Sequence, residues 1–358
     1  MIAKSISSRL DVRSIDVSAL GREFGADYAL EGSLRVMSGR LRVDIALIDL
    51  TTRLQAWNGH FESDETDPAA RRLEIVRGLA RQLVVAAVDV LGARSLGVNQ
   101  ETPLADQLNR GWSLYQKFHS FRGGEEGQRM FEEILLDHPA NRSALIGLGG
   151  FKIAAACRLA RTDRQGLVKE AEQLSQRALA IDSQASLTHF NLGEVALLNG
   201  QVDEAVFRYE RTLAINPIHA PSLGQLALID LSRRLFAEGL AKLKYVVRLS
   251  PNDWSLGYWY GLRGRIHFEM GEDAEAERWL RAGMLESPNR PQIRAALAGL
   301  YAETGQPGRA RKSADETRTL APAARYETIR DYFFPGLTEP DEPRRMLSGI
   351  AKAFGGLA

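Results

Sequence analysis

The sequence predicts a mainly α-helical protein in which a solenoid of about six helix pairs follows a small α/β domain. Small and apolar residues recur about every 34 residues over roughly 103–322, and a strand-like pattern is confined to residues 28–61. The length of 358 residues suits two such parts, since a domain usually contains about 100–200 residues. We expect a domain over 1–95, a repeat array with a capping helix over 103–335, and a tail with a short helix over 336–358.

The first hundred residues predict a short helix, three strands and a long helix. Apolar residues spaced three and four apart favour the short helix over 12–25. Strand-like runs follow at 28–36, 41–49 and 55–61. Ser38-Gly39 is a turn signal between the first two runs, which predicts a hairpin, and Pro68 is placed to begin the long helix.

Residues 25–62 also carry motifs of a known domain family. Glu31-Gly32-Ser33 is followed at the family's distance by Leu47-Ile48-Asp49. The other matching positions are Tyr28, Leu30, Arg35, Gly39, Arg42, Val43, Trp57 and Phe61. The segment resembles the TolB-like N-terminal domain that accompanies repeat arrays in bacterial class III adenylate cyclases and winged-helix transcription regulators. The resemblance covers about residues 1–90 and implies a signalling setting.

The family usually has another strand and helix before this segment, and this chain departs from the family there. The chain therefore begins late, is a fragment, or completes its sheet with another chain. The last alternative predicts a homodimer through the N-terminal sheet.

The remaining residues repeat with a period of about 34. Pro217 and Pro251 are one such step apart, and an insertion around 252–256 lengthens the next. Small residues that let two antiparallel helices approach are Gly193, Ala205, Ala227, Gly239, Ala298 and Ala310. Larger residues that fill the space between them are Leu192, Tyr209, Leu226, Leu243 and Leu297. These positions resemble the tetratricopeptide repeat (TPR), whose stacked helix pairs bury a continuous core.

Two helices are predicted after the repeats. Ala323 to Phe334 reads as a helix that caps the open apolar end of the array, and Arg344 to Phe354 reads as a second, shorter helix.

Composition and charge exclude several classes of protein. The chain is 44% hydrophobic and 25% charged, as ordinary folded proteins are. Its 46 Lys and Arg against 45 Asp and Glu argue against a dedicated nucleic-acid binder. The single cysteine, Cys157, excludes an intrachain disulfide framework. No apolar stretch approaches the ~20 residues of a membrane span and no signal peptide is visible, so we expect a cytoplasmic protein that does not bind membranes.

Little in the sequence suggests catalysis, a metal or a cofactor. The six histidines show no HExxH motif and no i, i+4 pair. Gly147 to Lys152 is glycine-rich but lacks the GxxxxGK[ST] pattern of a phosphate loop, and its glycines suit helix packing instead. We therefore predict a protein that is not an enzyme and needs no cofactor.

Recognition of a partner is the remaining function, because the first helices of TPR units line a concave groove. The predicted partner-binding residues are Phe190, Glu194, Leu197, Leu228, Leu231, Trp254, Tyr258, Arg265 and Phe268. This mostly apolar groove suits an extended or helical apolar segment of a protein partner. Packing between repeats is an equal reading of the aromatic cluster around Tyr258, and the groove could be filled by the chain's own N-terminal domain or C-terminal helix. The alternative function is the regulatory part of an adenylate cyclase or transcription regulator whose catalytic or DNA-binding domain lies outside this chain.

Overall fold

The computed structural model describes residues 26–37, 40–63, 66–94, 103–118, 124–157, 163–251, 253–333 and 344–355. Contacts divide the chain into two compact units, Met1–Val90 and Leu91–Ala358. The predicted helix over 12–25 and the turn at Ser38-Gly39 lie outside the described residues.

The first unit contains a three-stranded antiparallel sheet and a long helix. Its strands, in the order β1-β2-β3, are β1 (Tyr28–Met37), β2 (Arg40–Asp49) and β3 (Gln55–Ser63). Helix α1 (Pro68–Arg94) begins at the predicted proline. Strand β1 leaves Leu34 and Val36 exposed. The homodimer through this sheet stays a prediction.

Close packing and buried polar contacts join α1 to β3. A Cβ at Gly78 would lie 2.8 Å from Cζ of Phe61 and closer to other atoms of that buried ring, so only glycine allows this approach. The Ser63 hydroxyl donates to Glu74, and Gln82 Nε2 donates to the His60 carbonyl at 3.0 Å. The sequence pattern did not reveal these polar contacts, because it marks only apolar faces.

Twelve helices of the second unit's described residues form six antiparallel pairs. They are α2 (Leu104–Phe118) and α3 (Gly124–Asp137), α4 (Arg142–Ala156) and α5 (Arg164–Ile181), α6 (Ser186–Leu198) and α7 (Val202–Ile215), α8 (Ala220–Ser232) and α9 (Phe236–Leu249), α10 (Leu256–Glu269) and α11 (Asp273–Glu286), and α12 (Pro291–Glu303) and α13 (Pro307–Leu320). Two further helices follow: α14 (Tyr326–Phe333) and α15 (Arg345–Phe354).

The repeat positions pack as the sequence predicts. A Cβ at Gly193 would lie 2.6 Å from Cε1 of Tyr209, so the glycine on α6 makes room for the tyrosine on α7. Ala205 and Ala227 are completely buried. The period therefore follows from the spacing of two packed helices.

The first helices of the last four pairs end in a left-handed residue. Gly200, Gly271 and Gly305 adopt φ values of 76°, 82° and 73° at these ends. Arg234 occupies the equivalent place after α8 with φ 60°, a conformation that costs a residue with a Cβ about 1–2 kcal/mol.

Candidate functional site

The C-terminal helix α15 covers part of the concave face. Helix α15 lies along α12, where Gly349 and Gly299 bring the two backbones together. A Cβ at Gly349 would lie 2.7 Å from the carbonyl carbon of Gly299 and closer still to its oxygen. Met346 and Ile350 are completely buried in this contact. The alternative in which the groove is filled by a C-terminal helix therefore holds for this part of the groove.

Two arginines at the start of α15 bind the ends of the repeat helices. Arg345 donates to the Phe268 carbonyl at 2.7 Å and forms an ion pair with Asp273 at 2.6 Å. Arg344 donates to the Leu231 carbonyl at 3.3 Å. Two predicted partner-binding residues, Leu231 and Phe268, thus contact the protein's own C-terminal segment.

A third predicted residue, Arg265, is covered by α14. Its guanidinium lies 4.1 Å from the centre of the Phe333 ring and donates to the Phe333 carbonyl. Burial lowers the pKa of Arg265 to about 10. We predicted this helix at the open end of the array, and it lies on the concave side instead. Its apolar residues Ile329 and Phe333, one turn apart, are both buried there.

Shortening Phe333 is expected to loosen α14. The Phe333→Ala change removes the ring below Arg265, so amide hydrogen exchange in α14 should accelerate at least tenfold, a local loss of about 1.4 kcal/mol. Mass spectrometry of hydrogen exchange measures this. The half-exposed Leu320 at the end of α13 provides a control, Leu320→Ala. Unchanged protection of α14 in Phe333→Ala would contradict the contact.

The concave face also contains a cavity of about 200 Å³, which residues of the first helices of all six pairs and of α14 line. We call it the groove cavity. The aromatic residues that line it are Trp112, Tyr115, Phe190, Trp254, Tyr258, Trp259 and Tyr332. The predicted partner-binding residues that line it are Phe190, Glu194, Leu197, Leu228, Trp254 and Tyr258. Six of the nine predicted residues therefore share one cavity, and the other three lie under the C-terminal helices.

Glu194 is a buried carboxyl group in the wall of the groove cavity. The Tyr209 hydroxyl donates to its Oε1 at 2.6 Å, and Gln225 Nε2 donates to the same oxygen at 2.7 Å. The Tyr258 hydroxyl donates in turn to Gln225 Oε1 at 3.2 Å. Burial raises the pKa of Glu194 to about 7, although both hydrogen bonds oppose that rise.

Cys157 also lines the groove cavity. Burial raises the pKa of its thiol to about 12, with a further contribution from Glu194. A thiol in that state is protonated at neutral pH, which fits a packing role better than a nucleophilic one.

Several residues of the groove cavity were not predicted as site residues. Trp112 and Tyr115 come from the first helix pair, whose repeat pattern is weak. Gln225 was missed because polar residues between groove positions carry no periodic signal. Tyr209 was read as packing alone, although a tyrosine facing an acid on the preceding helix could have indicated the pair.

The described residues contain neither a cluster suited to a metal ion nor a helix suited to a membrane. No group of three or more His, Cys, Asp or Glu among them is arranged to hold a metal ion. In the same part of the chain, no helix combines the length and hydrophobicity needed to cross a membrane.

No protein-family model matches the sequence. A protein of Rhizobium meliloti (strain 1021) named "Putative adenylate cyclase 3" is 26% identical over 206 residues, which is 57% of this chain and 35% of that protein. Human Tetratricopeptide repeat protein 7B is 34% identical over 125 residues, 34% of this chain and 14% of that protein. The matches thus span about a third and about a seventh of these relatives.

Solved structures resemble the repeat unit. A monomeric IFIT1 mutant with Gppp-AAAA aligns over 71% of this chain and 61% of its own, with a TM-score of 0.51 and 14% identity. The fold is that of a TPR solenoid. A TPR protein from Parabacteroides merdae is also similar, at 16% identity over 75% of this chain and 98% of its own, with a TM-score of 0.45. Neither the TolB-like resemblance nor membership of the class III cyclases is confirmed, and both stay predictions.

Proposed function

We propose that this TPR protein is a non-enzymatic interaction module that binds a partner segment in the groove cavity. The observation that carries the proposal is the aromatic lining of a cavity on the concave face, because interface energy concentrates on aromatic residues in pockets. Leu231, Arg265 and Phe268 are left out of the site, since the chain's own C-terminal helices cover them.

A charge placed in this cavity is expected to weaken peptide binding at least tenfold. Leu187 lines the cavity and is 36% exposed, so Leu187→Glu introduces a carboxylate there without filling a closed core. Short peptides selected from a displayed random library against the whole chain serve as probes, and their dissociation constants are measured by fluorescence polarisation.

The control is a leucine outside the cavity. Leu285 on α11 is 79% exposed and is not part of the cavity lining, so Leu285→Glu should leave peptide binding unchanged. The proposal fails if no peptide is enriched, or if the enriched peptides bind both variants as they bind the original chain.

A second candidate is the regulatory part of an adenylate cyclase. It is favoured by the 26% identity with the Rhizobium meliloti protein of that name. An open reading frame that continues upstream of Met1 into a cyclase domain would support it, and one that continues into a winged-helix domain would favour a transcription regulator. Conversion of ATP to cyclic AMP by the purified chain would contradict the non-enzymatic assignment.

A further inference from the structure

One oxygen of the Glu194 carboxyl group in the groove cavity accepts no hydrogen bond from the described residues. Both hydrogen bonds to Glu194 end on Oε1, and no hydrogen bond from the described part of the chain reaches Oε2. The residue is 7% exposed and lines the cavity. An oxygen in a cavity wall that accepts no hydrogen bond from the protein is available to a donor that a ligand brings.

A second oxygen that accepts no hydrogen bond from the described residues belongs to another residue of the cavity lining. Gln292 lines the cavity, is 6% exposed, and its Oε1 has no hydrogen-bond partner among the described residues. An ammonium group carries three donors and no acceptor, which suits an acceptor oxygen such as Oε2 of Glu194. Trp259 Nε1, in the same lining, is a buried donor without a hydrogen-bond partner among the described residues.

The rest of the lining suits the stem of such a group. Ring faces attract ammonium groups, and the methylenes of a basic side chain pack well on aromatic surfaces. Tyr115, Phe190 and Tyr258 provide rings in the cavity that Glu194 lines. In the described part of the chain, the neutral side chains of Tyr209 and Gln225 bind the Glu194 carboxyl group and no arginine does.

We propose that the groove cavity binds a lysine-like side chain of the partner segment, with its ammonium group on Glu194 and its stem against the aromatic wall. This inference rests on the proposed function, because it names the chemistry of the segment that the groove cavity would take. A free organic amine shares the chemistry and is distinguished below.

The binding should depend on pH. The titratable and charged groups around Glu194 in the cavity are Tyr115, Cys157, Arg164, Tyr209, Tyr258, Arg290, Asp331 and Tyr332. An ammonium ligand binds the carboxylate form, and the pKa of Glu194 is about 7. The pKa of a lysine-type amine is about 10.4, so the ligand stays charged between pH 6 and pH 8. Over that range Glu194 changes from mostly protonated to mostly ionised, so the affinity should rise about tenfold.

Calorimetric titration of the whole chain with two small probes tests the charge preference. At pH 8, 2-phenylethylamine should bind at least tenfold more tightly than 2-phenylethanol, which has the same ring and stem but no charge. The Glu194→Gln variant should lose this preference and its pH dependence. The exposed Glu210 on α7 gives the control, since Glu210→Gln should keep both. Equal binding of amine and alcohol, or a preference that survives in folded Glu194→Gln, would overturn the inference.

The ammonium group could come from a lysine of a partner segment or from a free amine. Two short peptides that are identical except that one has lysine where the other has norleucine distinguish these sources. Tighter binding of the lysine peptide, lost in Glu194→Gln, supports the inference. Peptides that bind the groove cavity without a lysine preference leave the proposed function standing and overturn this inference. Binding of the free amine with no binding of either peptide overturns the partner segment as the source and counts against the proposed function.

Discussion

Replacing Gly349 with alanine is expected to lower the free energy of unfolding of the repeat unit by about 3 kcal/mol. The added Cβ would overlap the backbone of Gly299, and backbone atoms of two packed helices cannot move apart locally. Helix α15 would have to lift from α12, which exposes Met346, Ile350 and Phe354 at a cost of about 1.5–3 kcal/mol for each fully exposed side chain. This loss exceeds the roughly 1 kcal/mol that alanine gains over glycine in helix propensity.

Gly308 provides the matched control. It lies in the first turn of α13, and a Cβ there would meet nothing within 4 Å. Gly308→Ala should therefore leave stability unchanged or raise it slightly. Urea unfolding followed by tryptophan fluorescence measures both variants, because Trp112, Trp254, Trp259 and Trp279 all lie in the repeat unit. Equal midpoints for the two variants would show that the contact between α15 and α12 contributes no stability.

The repeat architecture could be predicted from the sequence because it depends on local sterics. Gly193 leaves space between two packed helices, and the side chain of Tyr209 on the second helix fills that space in the structure. The same close contact between two helices recurs in each repeat, so the pattern can be recognised in the sequence without knowledge of the whole fold.

The occupation of the groove could not be predicted in the same way. The patterns of α14 and α15 identify two amphipathic helices, but an apolar stripe does not specify which apolar surface it will cover. One signal was present: the groove position of the last unit is Gly299, and only a surface without a side chain admits a helix as closely as Gly349 does. The meaning of that glycine depends on a partner 50 positions away in the chain.

The candidate site was predictable in position and not in chemistry. Register along α6 placed Glu194 on the concave face, and the cavity lining agrees with that placement. Its protonation depends on burial by several helices and on donors from α7 and α8, Tyr209 and Gln225. Such an environment is a property of the assembled solenoid, and no short stretch of sequence encodes it.

The Glu194→Gln change is expected to stabilise the repeat unit by about 3 kcal/mol at pH 8 and by less than about 1 kcal/mol at pH 5. The folded pKa of about 7 lies above the ordinary value of 4.5, so the folded protein holds a proton that the unfolded chain releases. The stability from protonated Glu194 is fully present below pH 4.5 and is lost as pH rises through 7. Above that, each pKa unit of difference costs about 1.4 kcal/mol.

Urea unfolding of both proteins at pH 5, 6, 7 and 8 measures this difference. Glutamine keeps an acceptor for Tyr209 and carries no charge, so the comparison isolates ionisation of one buried group while other titrations cancel. The exposed Glu210 on α7 lies outside the cavity lining, so Glu210→Gln is the control for the same chemical change at another site. The prediction is wrong if the difference in the free energy of unfolding between Glu194→Gln and the original chain is the same at all four pH values. The folded protein would then stabilise the Glu194 carboxylate to the same extent as water does, and the cavity would need no cationic ligand to balance its charge.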